Sequence, residues 1–333
     1  MRIRIAVDAM GGDYAPHNVI VGALDALHDT GNRFELILVG NEQRIRQEIH
    51  QIRQNDLAYT VVDAPETIEM AETPTSALKA KRKSSIAVGV QLQKEGKANA
   101  FVSAGNTGAV MSASTLILGR IPGVARPTIG AFFPSEGGAC LLLDAGANVD
   151  CTPRHLLQFA AMGTIYARCM LNYHNPTVGL LSIGEESTKG NEGTLRAFRL
   201  LSNSKLNFIG NIEGRDILKG KAQVVVCDGF VGNIVLKFGE SLLTMLKKRL
   251  RNYATRNFLR RAWIALTYGT IKKILRDFDY QVYGGVPFLG VNGVSIVGHG
   301  GSTPKAFKNM ILRAEEMVKK NIHKEIEHTI REV

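Results

Sequence analysis

The chain has 333 residues, 45% of them hydrophobic and 21% charged, with a formal net charge of +11. That length can bury a sizeable core as one large α/β domain or two coupled lobes, and no tract is biased enough in Pro, Ser or Gln to suggest disorder. The opening MRIRIAVDAMG lacks the apolar stretch and cleavage site of a secretory signal, and Cys140, Cys151, Cys169 and Cys227 show neither CxxC pairing nor zinc spacing. A reducing cytoplasm with buried apolar thiols is expected, and no run of about 18 apolar residues is present to cross a membrane.

Short Val/Ile/Leu-rich runs follow one another along the chain: RIRIAVDA, FELILVG, TVVDA, AFVSAG, TIGAFF, CLLLDAG, TVGLLSIG, NFIGNIEG, VVVCDG and VSIVGHG. Between most of them lie amphipathic stretches that predict helices over Pro16 to His28, Glu42 to Arg53, Ala77 to Gln93, Pro153 to Cys169, Glu192 to Leu201, Gly232 to Arg251 and Pro304 to Lys320. Continuous apolar strands alternating with helices predict an α/β fold, a three-layer α/β/α arrangement around a largely parallel sheet. The expected organisation is a single catalytic domain over 1–333, with a basic amphipathic helical arm at 241–280.

Six of the strands end in glycine-bearing polar loops: AMGGDYAP, SAGNTGA, DAGANVD, SIGEESTKGN, CDGFVGN and GHGGSTPKA. In a parallel sheet the strand C-terminal ends share one edge, so these loops are expected around one cleft. Glycine permits close backbone approach, and helix N-termini aim free N–H groups at anions. No loop matches GxxxxGK[ST], and none reads GxGxxG with the acidic residue of a dinucleotide site, so ATP and NAD find little support.

Taken together, DAMGGDYAP, SAGNTGA, GEESTKGNE, CDGFVGNIVLK, YGGVPFLGVNG and HGGSTPKA resemble, in family order, the acyl-ACP:phosphate acyltransferases of bacterial phospholipid synthesis, the PlsX family. The resemblance runs from Asp8 to about Lys308. It implies a fold like phosphotransacetylase and isopropylmalate dehydrogenase, and a homodimer. It also implies transfer of a long-chain acyl group from acyl carrier protein to inorganic phosphate, feeding a downstream glycerol-3-phosphate acyltransferase. A short acyl-CoA substrate is the alternative that the same fold supports.

That reaction needs a held phosphate, a polarised thioester carbonyl and a departing thiolate; it requires neither metal nor cofactor. Lys189 is the expected catalytic cation, binding phosphate or stabilising the oxyanion, with Asn191 beside it. Asp228 fits three roles: accepting a phosphate proton, orienting Lys189, or capping the helix that follows. Asn233 completes the catalytic set as an amide donor. Gly11, Gly12 and Asp13 are expected to shape one wall, Asn106 and Thr107 to supply neutral phosphate donors, and His299, Ser302 and Lys305 an opposite wall. Lys79, Lys81, Arg82 and Lys83 form a further basic cluster suited to phosphate, to an acidic carrier or to solvent.

Ten cations and no acid fall between Ser241 and Arg276, so ten of the eleven net charges belong to one segment. Its apolar centre, with Trp263, Ile264 and Leu266, is bracketed by Arg260, Arg261, Lys272 and Lys273. Such a segment suits an anionic membrane surface, and peripheral attachment of a cytoplasmic enzyme is what the resemblance implies. The same cations suit an acidic carrier, and Leu242, Leu243, Leu246 and Leu250 recur at the spacing of a packed helix face. Nucleic acid is not expected, because no helix-turn-helix, RNP or zinc pattern accompanies the charge.

Overall fold

A computed structural model describes residues 2–52, 56–255, 257, 266–267, 269–270 and 284–332. The elements form an eleven-stranded sheet: β1 (Arg4–Asp8), β2 (Glu35–Gly40), β3 (Tyr59–Asp63), β4 (Ala100–Ser103), β5 (Thr128–Ser135), β6 (Gly138–Leu143), β7 (Val178–Leu181), β8 (Phe208–Ile212), β9 (Val224–Val226), β10 (Val286–Leu289) and β11 (Val294–Val297). Their lateral order is β3-β2-β1-β4-β11-β10-β5-β6-β9-β7-β8. All ten strand runs read from the sequence are strands. The addition is β10, whose VPFL is too short and too interrupted by proline to read as one.

Strand residues alternate between two cores, as the period of two requires. Ile5 and Val7 of β1, with Leu36 and Leu38 of β2, join one hydrophobic cluster, while Ala6, Ile37 and Val39 join the other. The first face is covered by α1 (His17–Asp29), α6 (Pro153–Met170) and α10 (Pro304–Lys319); the second by α3 (Pro74–Ala80), α4 (Ser85–Lys94) and α5 (Thr107–Ala113). The remaining helices are α2 (Glu42–Ile52), α7 (Glu192–Ser202), α8 (Gly214–Lys219), α9 (Gly229–Ala254) and α11 (Ile322–Ile330). The stretch expected as one helix from Ala77 to Gln93 is two, because Ser84 turns the chain into an extended cap and accepts the Ala87 N–H at 3.3 Å.

The sheet is parallel only within each half, which corrects the expectation that the strand C-terminal ends share one edge. β1 to β4 and β11 run with β5; β10, β6, β9, β7 and β8 run against it. The loops nevertheless converge, because the halves are offset along β5. Its lower end pairs with β10 through Thr128 and Ile129, and its upper part, Gly130 to Ser135, pairs with β6. Ser103 and Val297 on one side, and Leu143 and Val226 on the other, therefore finish at nearly one height from opposite directions.

One peripheral ion pair makes the fold's stability depend on pH. Arg33 donates through Nε and a terminal nitrogen to both oxygens of Glu315, each at 2.7 Å, and Lys319 adds a third cation contact at 2.6 Å. Glu315 is 3% exposed. Burial pushes its carboxyl up, but the hydrogen bonds from Arg33 and Lys319 outweigh this and hold it below its ordinary 4.5. The stabilisation is therefore present above 4.5 and lost as pH falls through the lower folded value. Arg33→Ala should cost about 2 kcal/mol near neutrality, discounted because Arg33 is half exposed, and much less in acid. Thermal melts of both proteins at neutral and acidic pH check this.

Candidate active site

The first wall rests on a buried carboxylate. Asp8, at the end of β1, is 1% exposed; its Oδ2 accepts the Ser103 hydroxyl at 2.6 Å, and its Oδ1 accepts the Met10 N–H at 3.1 Å. Burial pushes its carboxyl above the ordinary 3.8, against the pull of hydrogen bonds from Ser103, Ser85, Met10 and Gly11. Ser103 Oγ in turn accepts the Gly105 N–H at 3.0 Å, so one carboxylate ties the AMGGD and SAGN loops together. The approach is close enough to require glycine: a Cβ on Gly11 would stand 2.5 Å from Asp8 Oδ2 and 2.7 Å from the Gly105 nitrogen. The HGGS loop joins through the Asp13 N–H, which donates to the Gly300 carbonyl at 2.8 Å.

The second half repeats this device. Asp144, at the end of β6, is fully buried, and its carboxylate accepts N–H groups of Gly146 at 3.0 Å, Ala147 at 2.9 Å and Asn148 at 2.7 Å, with the Asn148 amide at 2.6 Å. Burial again raises its carboxyl above 3.8 despite these donors. The loop so fixed supports the start of α9: the Gly229 N–H donates to the Asn148 carbonyl at 2.8 Å, and Gly232 lies directly over the Asp144 carbonyl. Asp228 Oδ1 accepts the Val231 N–H at 2.8 Å. Of the three roles open to Asp228, capping is the one its contacts display, and the cap starts α9 three residues before the expected Gly232.

Between the halves lies a cleft of about 470 Å³. Its floor is apolar, made by Met111, Ile129, Phe132, Leu236, Phe288 and Val297, and its polar groups are Thr107, Asn233, Lys237, Glu240 and His299. His299 Nδ1 accepts the Gly301 N–H at 3.0 Å, which leaves the ring proton of a neutral imidazole on Nε2. Lys237 carries the cleft's cationic group, 3.2 Å from Glu240 on the next turn of α9. A mostly apolar cavity with a few convergent polar groups suits a long apolar ligand with a polar head.

Of the residues singled out in the sequence, Thr107, Asn233 and His299 line this cleft. Gly11, Gly12, Asp13 and Ser302 do not line it; Ser302 is 2% exposed and donates its hydroxyl to the His299 carbonyl at 2.6 Å. Asn106 serves the wall rather than a ligand. Its Oδ1 accepts the Ala109 N–H and its amide donates to the carbonyls of Glu69, Met70 and Glu72, so the expected phosphate donation from this side chain is corrected to capping and bracing. Asn191 likewise accepts the N–H and hydroxyl of Thr194 as the cap of α7. Lys189 is exposed on the loop after β7, whose contacts run to Asn211 of β8, and Lys305 is exposed in the first turn of α10; neither lines the cleft. Sequence reasoning missed Asp8, Asp144 and Lys237. The first two carried a signal, a strand-terminal Asp-Ala before glycine in both halves.

In the basic segment, Arg260, Arg261, Trp263, Ile264, Lys272 and Lys273 lie outside the described residues, while Leu266 is 85% exposed. No unbroken apolar run of that length is present, but α9 contains an 18-residue window of mean hydropathy 1.2, which by length and composition alone could cross a membrane. Its first turns are built into the cleft, which argues for a protein setting there. Cys140 and Cys227 are buried as expected, whereas Cys151 and Cys169 are half-buried.

The family described as "Fatty acid synthesis protein" matches residues 3–325. A phosphate acyltransferase of Chlorobaculum parvum is 49% identical over 97% of this chain and 98% of its own length, and one of Pelotomaculum thermopropionicum is 48% identical over 99% and 96%. Among solved structures, a phosphotransacetylase from Streptococcus pyogenes aligns with a TM-score of 0.64 at 18% identity over 96% of this chain and 94% of its own. A phosphotransacetylase from Staphylococcus aureus gives 0.59 at 15% over 95% and 94%. At those identities the structures speak for the fold.

Proposed function

We propose that this chain, which belongs to the fatty acid synthesis protein family, transfers a long-chain acyl group from acyl carrier protein to inorganic phosphate and releases acyl phosphate for phospholipid synthesis. Phosphate acyltransfer is the activity named for its full-length relatives. The observation that carries the long chain is the apolar floor of the cleft, which a short acyl group would leave largely unfilled. In the reaction a phosphate oxygen attacks the thioester carbonyl carbon, the C–O bond forms, the C–S bond breaks, and the carrier leaves as a thiolate that takes up a proton. Asn233, the Nε2–H of His299 and the start of α5 at Thr107 supply donors for the oxyanion, and Lys237 supplies positive charge. We keep Lys189 as a second cation, meeting phosphate at the loop after β7.

The decisive assay combines phosphate with palmitoyl carrier protein or with acetyl-CoA. Acyl phosphate from the first and not the second is expected; the reverse would make the protein a short-chain phosphotransacylase. Asn233→Ala should lower kcat about 100-fold while changing KM little, as removal of one oxyanion donor does.

The protein is proposed to work as a homodimer in the cytoplasm, attached peripherally to anionic membrane. In support, Phe230, Phe238, Leu242 and Leu246 stand exposed along α9, followed by Lys247, Lys248, Arg249 and Arg251. A product with a long alkyl chain gains from release at a membrane, where a glycerol-3-phosphate acyltransferase would consume it.

A further inference from the structure

A second concavity, about 560 Å³ in volume, lies outside the cleft, between α3, α4 and the π turn Ser114–Leu118 that continues α5. Leu78, Val88, Leu92 and Ile117 give it an apolar wall, and Lys79 and Arg82 stand at its rim. We propose that this groove is where an acidic helical carrier protein docks to deliver the acyl thioester. The inference rests on the carrier-dependent reading above and assigns that carrier a place on the surface.

Charge complementarity favours that occupant. Within the basic cluster Lys81 is already engaged, its Nζ donating to Glu72 and to the Thr67 carbonyl, both at 2.7 Å. Lys79, Arg82 and Lys83 are exposed, and none of the three makes an ion pair among the described residues. Two of the nearby acids are paired with other cations. Glu95 at the far end of the groove is 2.7 Å from Lys97, Glu72 holds Lys81, and Glu66 accepts the backbone N–H of Lys83. An apolar floor with an uncompensated cationic rim matches an amphipathic acidic helix laid along it.

Position favours it too. The first turn of α3 touches the cleft wall: Pro74 lies against Gly108, which lines the cleft, and Thr75 Oγ1 is 3.5 Å from Ser112 Oγ of α5. The last turn of the same helix places Leu78 and Lys79 in the groove. At 1.5 Å per residue the seven-residue helix spans only about 10 Å. A carrier seated in the groove therefore needs to extend its tethered thioester only a short way around α5 to reach the cleft.

The test is the double charge reversal Lys79→Glu/Arg82→Glu, which touches no group in the cleft. Rates of acyl phosphate formation are compared with palmitoyl carrier protein and with palmitoyl-CoA, at low and high salt. With the carrier, kcat/KM should fall about tenfold or more at low salt, mainly through KM, and lose its salt dependence. With palmitoyl-CoA it should stay unchanged. No loss with the carrier, or equal loss with both donors, overturns the docking site. If the unaltered protein uses palmitoyl-CoA and not the carrier, the carrier reading itself fails, an outcome visible before any variant is made.

Discussion

Gly232→Ala is expected to destabilise the protein by about 3 kcal/mol or more and to remove most of its acyl transfer. The added Cβ would overlap the Asp144 carbonyl oxygen and stand 2.9 Å from its carbon and 3.1 Å from Cys227 Sγ. All three belong to fully or nearly buried residues, so nothing can yield cheaply. Relief requires lifting the first turn of α9, and that turn carries Asn233 with Leu236 and Lys237 just beyond it. Denaturant melts give the stability loss, and turnover with saturating substrate gives the functional one. Gly214→Ala, where a Cβ meets nothing within 4 Å, is the matched control and should change neither.

Asp8→Ala should be nearly as damaging, at about 2–4 kcal/mol, since it strands the Ser103 hydroxyl and the Met10 N–H in a dry site. Asp8→Asn is more informative. Because burial raises the Asp8 carboxyl, the folded state binds its proton more tightly than the unfolded chain, whose value is near 3.8. Asp8 thus favours folding increasingly as pH falls from above its raised folded value towards 3.8, the opposite sign to Glu315. Asp8→Asn should abolish that contribution, giving a flatter stability profile across the window. It should also raise KM for phosphate, because the loops bearing Gly11 and Gly105 lose their common anchor. A profile identical to that of the unaltered protein would show that Asp8 does not titrate with folding.

Most strands were legible because they are runs of β-branched and aliphatic residues buried on both faces, β3 and β8 at the sheet edges being more exposed, and helices such as Pro153–Met170 announced themselves through Thr152 and Pro153 at the cap. Strand direction was not legible. Pairing sense depends on where a chain returns, and the reversal hinges on the β5–β6 hairpin and on β10, a four-residue strand with a proline in it. Asn233 and His299 were legible as cleft residues because each lies in a glycine-bearing stretch that follows a strand. Asp8 and Asp144 looked like ordinary strand-end carboxylates, and their depth follows only from packing. Asn106 and Asn191 show the converse: a polar side chain before a helix reads equally as ligand or cap, and here both are caps.

The placing of β10 and β11 also bears on the order in which the molecule can be made. These two strands join β4 to β5, yet they come from residues 286–297, near the end of the chain. Until they leave the ribosome, nothing bridges β4 and β5, and the edges of those two strands stay open. Only when residues 286–297 emerge can the central pair be inserted. The floor of the cleft, through Phe288 and Val297, thus waits on this late segment, and a chain cut short before Val286 lacks that part of it.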